Sequence, residues 1–257
     1  MDKLVVEKLL KLTQEGYEKI SQPFSETRQY AWRDFNLFTP FVQMSASVLD
    51  IGCGTGRVYE FLQKKIGRYV GVDSNKQFID ALKEKYPNNA TRQFLQGDML
   101  NLGALGELQG KQFDCIISVA AFHHIPSHAL RKKALEEMKV FLKPESTLIL
   151  LNWNFWRPTL KKKSFWKYNL ARIRWSEKQW EQTFGLPKKE LGYKDLLTLW
   201  TRGKEQTPLY YYSFCTPELA RLLKVAGFQV LQNRYILGDT SAHWWNGKNI
   251  FTVARIR

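Results

Sequence analysis

The sequence predicts an α/β fold with a mostly parallel sheet that is covered by helices on both faces. Between residues 47 and 152, short apolar runs alternate with segments of helical periodicity. The runs are SVLDI, RYVGVD, TRQFLQGD, FDCIISVAAF and STLILLN, and the helical segments are RVYEFLQKK, NKQFIDALKEKY and RKKALEEMKVFL. Strands that alternate with helices form βαβ crossovers and therefore parallel sheets. Ligands of such sheets bind at the carboxyl ends of the strands, where we expect the functional residues.

Four segments are predicted within a single domain of 257 residues, a length that one large α/β domain can fill. Residues 1–44 form an N-terminal helical cap, and residues 45–152 form the core with the alternating pattern. Residues 153–212 are interpreted as a basic, aromatic insertion of two or three helices. Residues 213–257 return to a helix, TPELARLLKVAG, and two strands that complete the sheet.

The composition favours a soluble, cytoplasmic protein with a polyanionic partner. The chain has 39 Lys and Arg against 24 Asp and Glu, and 13 of these basic residues against 4 acidic ones lie between Arg157 and Lys204. Basic surfaces gain affinity for nucleic acids by releasing counterions from phosphates. The apolar runs are too short for a membrane helix, and the N-terminus lacks a signal-peptide pattern. Three cysteines without metal-type spacing predict neither disulfides nor a metal site.

A glycine loop follows the first predicted strand in VLDIGCGTGR, residues 48–57. Gly52, Gly54 and Gly56 are two residues apart, whereas the third glycine of the dinucleotide fingerprint follows the second by three. The strand ends on Asp50, and a carboxylate at that place disfavours a pyrophosphate but suits the ammonium group of a methionine moiety. The predicted cofactor is therefore S-adenosylmethionine (SAM) rather than a dinucleotide.

Two further carboxylates end the next two strands. Asp73, followed by Ser74, ends YVGVD, where a carboxylate can accept both ribose hydroxyl protons. Asp98 ends LQGD, where it can accept from the adenine amine while Met99 borders the ring. Either aspartate alone could be a helix N-cap. Three carboxylates at three successive strand ends are hard to explain as caps alone, so we interpret them as one cofactor site.

From about residue 45 to residue 152 the chain resembles the class I, seven-stranded SAM-dependent methyltransferases, which have a Rossmann-like fold. The resemblance indicates the cofactor class strongly and the substrate hardly at all, because one fold serves many acceptors. It implies a cofactor site made of Asp50, Gly52, Gly54, Gly56, Asp73, Asp98 and, through its backbone at the fourth strand end, Ala120. Cys53, Ser74 and Met99, which neighbour these residues in the sequence, are also predicted to bind the cofactor.

Segments outside this core are similar to the wobble-uridine tRNA methyltransferases that esterify 5-carboxymethyluridine. The similar segments are YEKISQPFSETRQYAW, SVAAFHHIPSHALRKKALEEMKVFLKP, YYYSFCTPELARLL and HWWNGKNIFTVARIR. The resemblance implies methyl transfer to tRNA at a modified wobble uridine, and a small zinc-binding activator subunit as a possible partner. Tyr17, Arg28 and Trp32, in the first of these segments, are predicted to border the cofactor.

Methyl-ester formation requires positioning more than base catalysis. The acceptor carboxylate is already ionised at neutral pH and has only to lie in line with the sulfonium methyl. The catalytic candidates are accordingly positioning groups. Arg28 can hold the carboxylate of substrate or cofactor in a bidentate geometry, with a surface salt bridge as the alternative. His123 and His124 can shape the acceptor pocket, with His124 also a candidate packing residue.

Basic and aromatic residues interleave in the predicted insertion, a pattern typical of surfaces that bind RNA loops. The alternative is a set of solvated helix faces with tryptophans turned inward. The predicted substrate-binding residues are Trp153, Lys161, Lys162, Lys163, Trp166, Lys167, Arg172 and Arg174. The main competing function is a small-molecule O-methyltransferase that acts on a carboxylate, phenol or quinone precursor with the insertion as a lid. The acidic residues around the glycine loop argue against a non-catalytic RNA-binding subunit.

Overall fold

The computed structural model describes residues 1–28, 30, 32–158, 165–201 and 206–256. In chain order, the described strands are β1 (Ser47–Ile51), β2 (Arg68–Asp73), β3 (Arg92–Gln96), β4 (Phe113–Val119), β5 (Leu142–Trp153), β6 (Asp195–Trp200), β7 (Thr207–Tyr212), β8 (Phe228–Leu237), β9 (Thr240–Ser241) and β10 (Asn249–Ile256). The helices are α1 (Lys3–Glu26), α2 (Arg57–Leu62), α3 (Lys76–Lys85), α4 (His128–Val140), α5 (Phe165–Arg174), α6 (Glu177–Phe184) and α7 (Thr216–Val225). Within these ranges, no helix combines the length and the apolar character needed to cross a membrane.

The central sheet confirms the predicted mostly parallel architecture. Its strand order is β3-β2-β1-β4-β5-β10-β8-β9. The first five strands are parallel, and β10 is antiparallel to both β5 and β8. The described sheet has eight strands rather than the predicted seven, because the two-residue β9 pairs with the end of β8. The strand order reverses at β1, which lies between β2 and β4, and a crevice for ligands forms at such a point.

The sheet is buried on both faces, as continuous apolar strands predict. Side chains of a strand alternate between the faces, so Leu148 and Leu150 of β5 join one hydrophobic cluster while Ile149 and Leu151 join the other. Residues of α4 and α7 complete the first cluster, and residues of α2 and α3 complete the second. Helices therefore cover the sheet on both sides and leave its strand ends for the site.

The region from residue 153 to residue 212 is only partly helical, so the prediction of an all-helical insertion is wrong. It contains α5 and α6, but β6 and β7 form a second, antiparallel sheet in which Leu197 pairs with Tyr210. Nearly every residue of these two strands is buried, so neither strand has an outer polar face. The apolar and polar alternation that identifies a strand in a sequence is therefore absent. The division of the chain into four segments stays a prediction.

Helix α1 packs against β7 through a close backbone contact at Gly16. A Cβ atom at this position would lie 2.8 Å from the carbonyl oxygen of Pro208 and 2.7 Å from Cδ2 of Leu209. Leu9 and Ile20, which flank Gly16 along the helix, are also buried. A residue without a side chain is therefore needed for α1 to approach the second sheet this closely.

Replacing Gly16 with alanine should lower the melting temperature. Alanine gains up to about 1 kcal/mol in helix propensity, but overpacking against a backbone oxygen costs roughly 1–3 kcal/mol. Differential scanning calorimetry of Gly16→Ala should show the loss. Gly106→Ala is the matched control, since a Cβ atom there meets nothing within 4 Å. A Gly16→Ala protein that melts at or above the wild-type temperature would contradict this account of the contact.

Candidate functional site

A cavity opens at the carboxyl ends of the central strands, beside the reversal of strand order at β1. It brings together most of the residues that the sequence predicts for the cofactor. Those in its wall are Tyr17, Arg28, Trp32, Asp50, Gly52, Cys53, Gly54, Asp73, Ser74, Asp98, Met99 and Ala120. His124 and Trp153 also line it, whereas Gly56 and His123 do not. In the described part of the chain, no group of three or more His, Cys, Asp or Glu could hold a metal ion.

Asp50 places a buried carboxylate in the cavity wall. The Tyr69 hydroxyl donates a hydrogen bond of 2.6 Å to Oδ2, and residue Asp50 is only 1% exposed. Burial raises the pKa of Asp50 to about 7. The other oxygen, Oδ1, is buried and receives no hydrogen bond from the described residues. A buried acceptor without a donor is unfavourable, so this oxygen fits a ligand with a cationic donor, such as an ammonium group.

Two glycines of the loop are required by close packing. Gly52 has φ +74°, and a Cβ atom on it would lie 2.3 Å from Cβ of Ala121. Gly56 has φ +79° and begins α2, where a Cβ atom would lie 2.6 Å from Cδ2 of Leu82. Gly52 thus allows the loop to approach the end of β4. Gly56 lies outside the cavity wall and packs α2 against α3, so its predicted role in cofactor binding stays a prediction.

Asp73 connects the end of β2 to the glycine loop. The Gly54 N–H donates to its Oδ2 at 2.8 Å, and the Asn75 N–H donates to its Oδ1 at 2.9 Å. Burial raises the pKa of Asp73, and these two backbone donors oppose that rise. A carboxylate oxygen can accept more than one hydrogen bond. Both oxygens of this cavity-lining carboxylate can therefore accept from a ligand hydroxyl as well.

Asp98 differs from the other two carboxylates because it is exposed. Its Oδ1 accepts the Leu100 N–H at 2.9 Å, a local turn of the kind that the cap alternative expects. Asp98 and its neighbour Met99 nevertheless line the cavity. The structure thus gives Asp98 a local structural role without removing it from the site.

Arg57 is a cavity residue that the sequence analysis missed. It follows Gly56 as the first residue of α2, and its guanidinium lies 4.5 Å from the ring centroid of Trp32. Burial, and after it the charge of Arg28, lowers the pKa of Arg57 to about 10. Its Nη1 is buried and donates no hydrogen bond to the described residues. An arginine directly after the third glycine was the available signal, but only the fold reveals this unpaired donor.

Tyr17 and His124 form a polar pair in the wall. Tyr17 Oη lies 3.0 Å from Nε2 of His124, and Nδ1 of His124 lies 2.8 Å from the carbonyl oxygen of Tyr210. A carbonyl only accepts, so Nδ1 carries a hydrogen, and in the neutral form of the imidazole Nε2 accepts the Tyr17 hydroxyl hydrogen. Burial raises the pKa of Tyr17 to about 12, which keeps this hydroxyl protonated. The two side chains therefore hold each other in place.

His123 lies behind the cavity wall. It is fully buried, and the Trp153 N–H donates to its Nδ1 at 3.3 Å. Its imidazole packs against the rings of Phe155 and Tyr211, with centroid distances of 5.8 and 5.5 Å. His123 therefore packs behind Trp153, which lines the cavity and stacks on Tyr211. A catalytic role for His123 stays a prediction.

The predicted RNA-binding residues other than Trp153 lie outside the cavity or outside the described residues. Trp166, Lys167 and Arg174 are exposed on α5. Arg172 instead donates to backbone carbonyls, those of Lys188, Leu191 and Gly192, at 2.5, 2.5 and 3.0 Å. This guanidinium ties α5 to the segment before β6. Lys161, Lys162 and Lys163 fall outside the described residues, so their predicted role stays a prediction.

Comparison with known proteins matches part of the chain to a methyltransferase domain. Residues 48–145 match the family model of the methyltransferase domain. The tRNA (carboxymethyluridine(34)-5-O)-methyltransferase of Arabidopsis thaliana is 29% identical over 137 residues, which are 53% of this chain and 31% of that protein. The chain thus spans less than a third of the length of this curated relative.

Two solved structures share the fold. A SAM-dependent methyltransferase from Clostridium acetobutylicum has a TM-score of 0.58 at 14% identity, over 88% of this chain and 90% of that one. A methyltransferase solved in complex with the Trm112 methyltransferase activator of Haloferax volcanii has a TM-score of 0.61 at 16% identity, over 95% and 97%. With the matched family model, this likeness confirms the fold and the cofactor class predicted from the glycine loop. Residues 48–145 thus match a methyltransferase domain, within a fold that the chain shares with SAM-dependent methyltransferases.

Proposed function

We propose that this protein transfers the methyl group of SAM to tRNA, where it esterifies the 5-carboxymethyl group of a modified wobble uridine. The observation that carries methyl transfer is the buried, unpaired oxygen of Asp50 in the cavity wall. The choice of acceptor is supported by the name of the Arabidopsis relative and by the net charge of +15. A relative that acts on tRNA and a strongly positive chain both agree with a polyanionic substrate.

The methionine moiety of SAM carries an ammonium and a carboxylate, and the cavity offers a partner for each. Asp50 Oδ1 would accept from the ammonium. The buried Nη1 of Arg57 would donate to the carboxylate, with Arg28 in the same wall as a second cation. Opposite charges placed side by side in a buried site select a zwitterion over a phosphate. SAM, when bound, supplies a methyl group on a positively charged sulfur.

The nucleoside part of SAM would lie along the ends of β2 and β3. Asp73 would accept from the ribose hydroxyls, because both of its oxygens have capacity beyond their backbone donors. Asp98 and Met99 would border the adenine. The backbone of Gly52 and Ala120 completes this side of the cavity.

The acceptor side of the cavity orients its substrate rather than removing a proton from it. Nε2 of His124 already accepts the hydroxyl of Tyr17, so an acceptor that needs deprotonation would have to break that hydrogen bond first. A carboxylate requires no base, only alignment with the methyl group. The arrangement thus favours a carboxylate acceptor over a phenol.

A small-molecule O-methyltransferase is the second candidate, and the aromatic wall supports it. Trp153 stacks on Tyr211 of β7 with ring centroids 5.4 Å apart, and Phe24 lies 5.8 Å from Trp200 of β6. The second sheet and α1 therefore build an apolar cover next to the cavity, as the lid alternative expects.

A cytoplasmic location and a small activator subunit are part of the proposal. The activator is supported by the likeness to the Haloferax volcanii methyltransferase that was solved together with one. Because that likeness concerns the fold, activity should be measured both with and without a candidate activator.

The acceptor can be identified by incubating the protein with methyl-labelled SAM and total tRNA that lacks the terminal ester. We expect label in one modified uridine, and mild alkali should release it as methanol because the new bond is an ester. Nucleoside digestion and mass spectrometry provide the measurement, with and without a candidate activator. Label absent from every nucleoside, while SAM binding is intact, would reject the tRNA acceptor in favour of the small-molecule candidate.

Asp73→Asn should weaken SAM binding about 10- to 100-fold, because a hydrogen bond to a charged acceptor contributes about 1.5–3 kcal/mol. Isothermal titration calorimetry gives the affinity, and a thermal melt checks that the loop anchored by Gly54 is intact. Asp80→Asn is the matched control, since Asp80 is an exposed aspartate that pairs with Lys76 on α3. Wild-type affinity in Asp73→Asn would contradict the placement of the ribose.

SAM affinity should fall as the pH decreases through the pKa of Asp50, which burial raises to about 7. Above that pH the carboxylate is ionised and attracts the ammonium group. Below it the carboxyl group becomes neutral, and affinity should approach a loss of about tenfold per pH unit. Asp50→Asn should bind weakly and lack this slope. Titration of the ligand itself is common to both proteins, so equal pH profiles would contradict the role of Asp50.

A further inference from the structure

The turn between β9 and β10 exposes two tryptophans that the cofactor site does not use. Trp244 is 45% exposed and Trp245 is 48% exposed. The ring of His243 stacks on Trp245 with centroids 4.2 Å apart and an interplanar angle of 2°. Trp244 stands nearly perpendicular to Trp245. Large indole surfaces in water are unfavourable, and contiguous exposed apolar surface marks binding sites.

Hydrogen bonds hold the backbone of this turn in one conformation. The His243 N–H donates to Oδ1 of Asn246, and the Gly247 N–H donates to the carbonyl of His243, both at 2.8 Å. The side-chain amide of Asn154 donates to the carbonyls of Trp244 and Gly247, at 2.8 and 2.9 Å. The indoles are therefore presented from an ordered turn, which reduces the entropy lost when a ligand binds.

The same bonds connect the turn to a residue that neighbours the cavity wall in sequence. Asn154 directly follows Trp153, which lines the cavity. Asn249, at the start of β10, pairs with Trp153 in the sheet and donates through its side chain to Asp34 at 3.0 Å. Asp34 lies two residues after Trp32, which also lines the cavity. The Trp244–Trp245 turn is thus bonded to the residue after Trp153, and β10, which follows the turn, is bonded to the segment just after Trp32.

We propose that the Trp244–Trp245 turn stacks unpaired bases of an RNA loop while a neighbouring nucleotide occupies the acceptor cavity. This inference rests on the proposed tRNA function. Unpaired bases in RNA loops are recognised chiefly by stacking on aromatic side chains, which a base-paired helix does not permit. The charge fits the same ligand, because Lys248 is exposed beside the turn and the whole chain carries +15. An RNA loop provides bases and phosphates together.

Binding of two RNA probes tests the proposal. The probes are an RNA hairpin with an unpaired loop and a blunt RNA duplex of equal length, both followed by fluorescence anisotropy. Replacing Trp244 and Trp245 together with alanine should weaken hairpin binding about tenfold or more. Duplex binding and SAM affinity should stay at the wild-type level. The corresponding double phenylalanine variant, which keeps aromatic rings, should recover most of the hairpin affinity.

Tyr193→Ala is the matched control and should leave hairpin binding unchanged, since Tyr193 is an aromatic residue that is 64% exposed and lies outside the cavity wall. Unchanged hairpin binding in the double alanine variant overturns the proposal. An equal loss on the duplex overturns it too, because stacking on unpaired bases would not be the cause. If the nucleoside assay still places label in tRNA in either case, the proposed function stands without this surface. If the wild type binds no hairpin and labels no tRNA, both fail.

Discussion

The buried carboxylate of Asp50 is the interaction on which the site depends. It lies where the strand order reverses, with Tyr69 of β2 as its hydrogen-bond donor and one oxygen unpaired. A buried ionised carboxylate is unfavourable, and the raised pKa of about 7 expresses that cost. A cation bound at the unpaired oxygen removes part of the cost. On the proposed function, SAM binding and the stability of the folded state are therefore linked through this residue.

The glycine loop connects the strand that carries Asp50 to the neighbouring strands. Gly52 lets the loop pass within contact distance of Ala121 after β4, and Gly54 donates its N–H to Asp73 at the end of β2. One loop thus joins the ends of three strands. A ligand that binds Asp50 at one end and Asp73 at the other would contact the ends of β1 and β2 at once, beside the end of β4. On the proposed function, Asp50 and Asp73 therefore belong to one site, although Asp73 and Asp98 each also accept the backbone N–H two residues further on.

The core and its carboxylates are predictable because their signals are local. Each parallel strand is a short apolar run, and Asp50 lies within its run while Asp73 and Asp98 come at the ends of theirs. The Tyr17–His124 pair joins residues 107 positions apart, and the unpaired state of Arg57 depends on burial, so neither is visible in the sequence. The strands β6 and β7 have no polar outer face, which removes the alternation that would have identified them.

The apolar cover next to the cavity, which includes Trp153 and Phe24, is aromatic although the chain is strongly basic. On the proposed function these two features fit together. Aromatic rings such as Trp153 can align a flat base. They also exclude water from an ionised carboxylate, but their own attraction for that carboxylate is weak. Loss of water from the carboxylate lowers the affinity for the substrate. Contacts to phosphates and unpaired bases outside the cavity can offset this loss, because binding energy from remote groups can compensate for desolvation at the reacting centre. A free carboxylic acid has no such remote groups. An aromatic wall without a remote binding surface would therefore suit a larger apolar acceptor, whereas the same wall in a chain of net charge +15 suits a carboxylate attached to RNA.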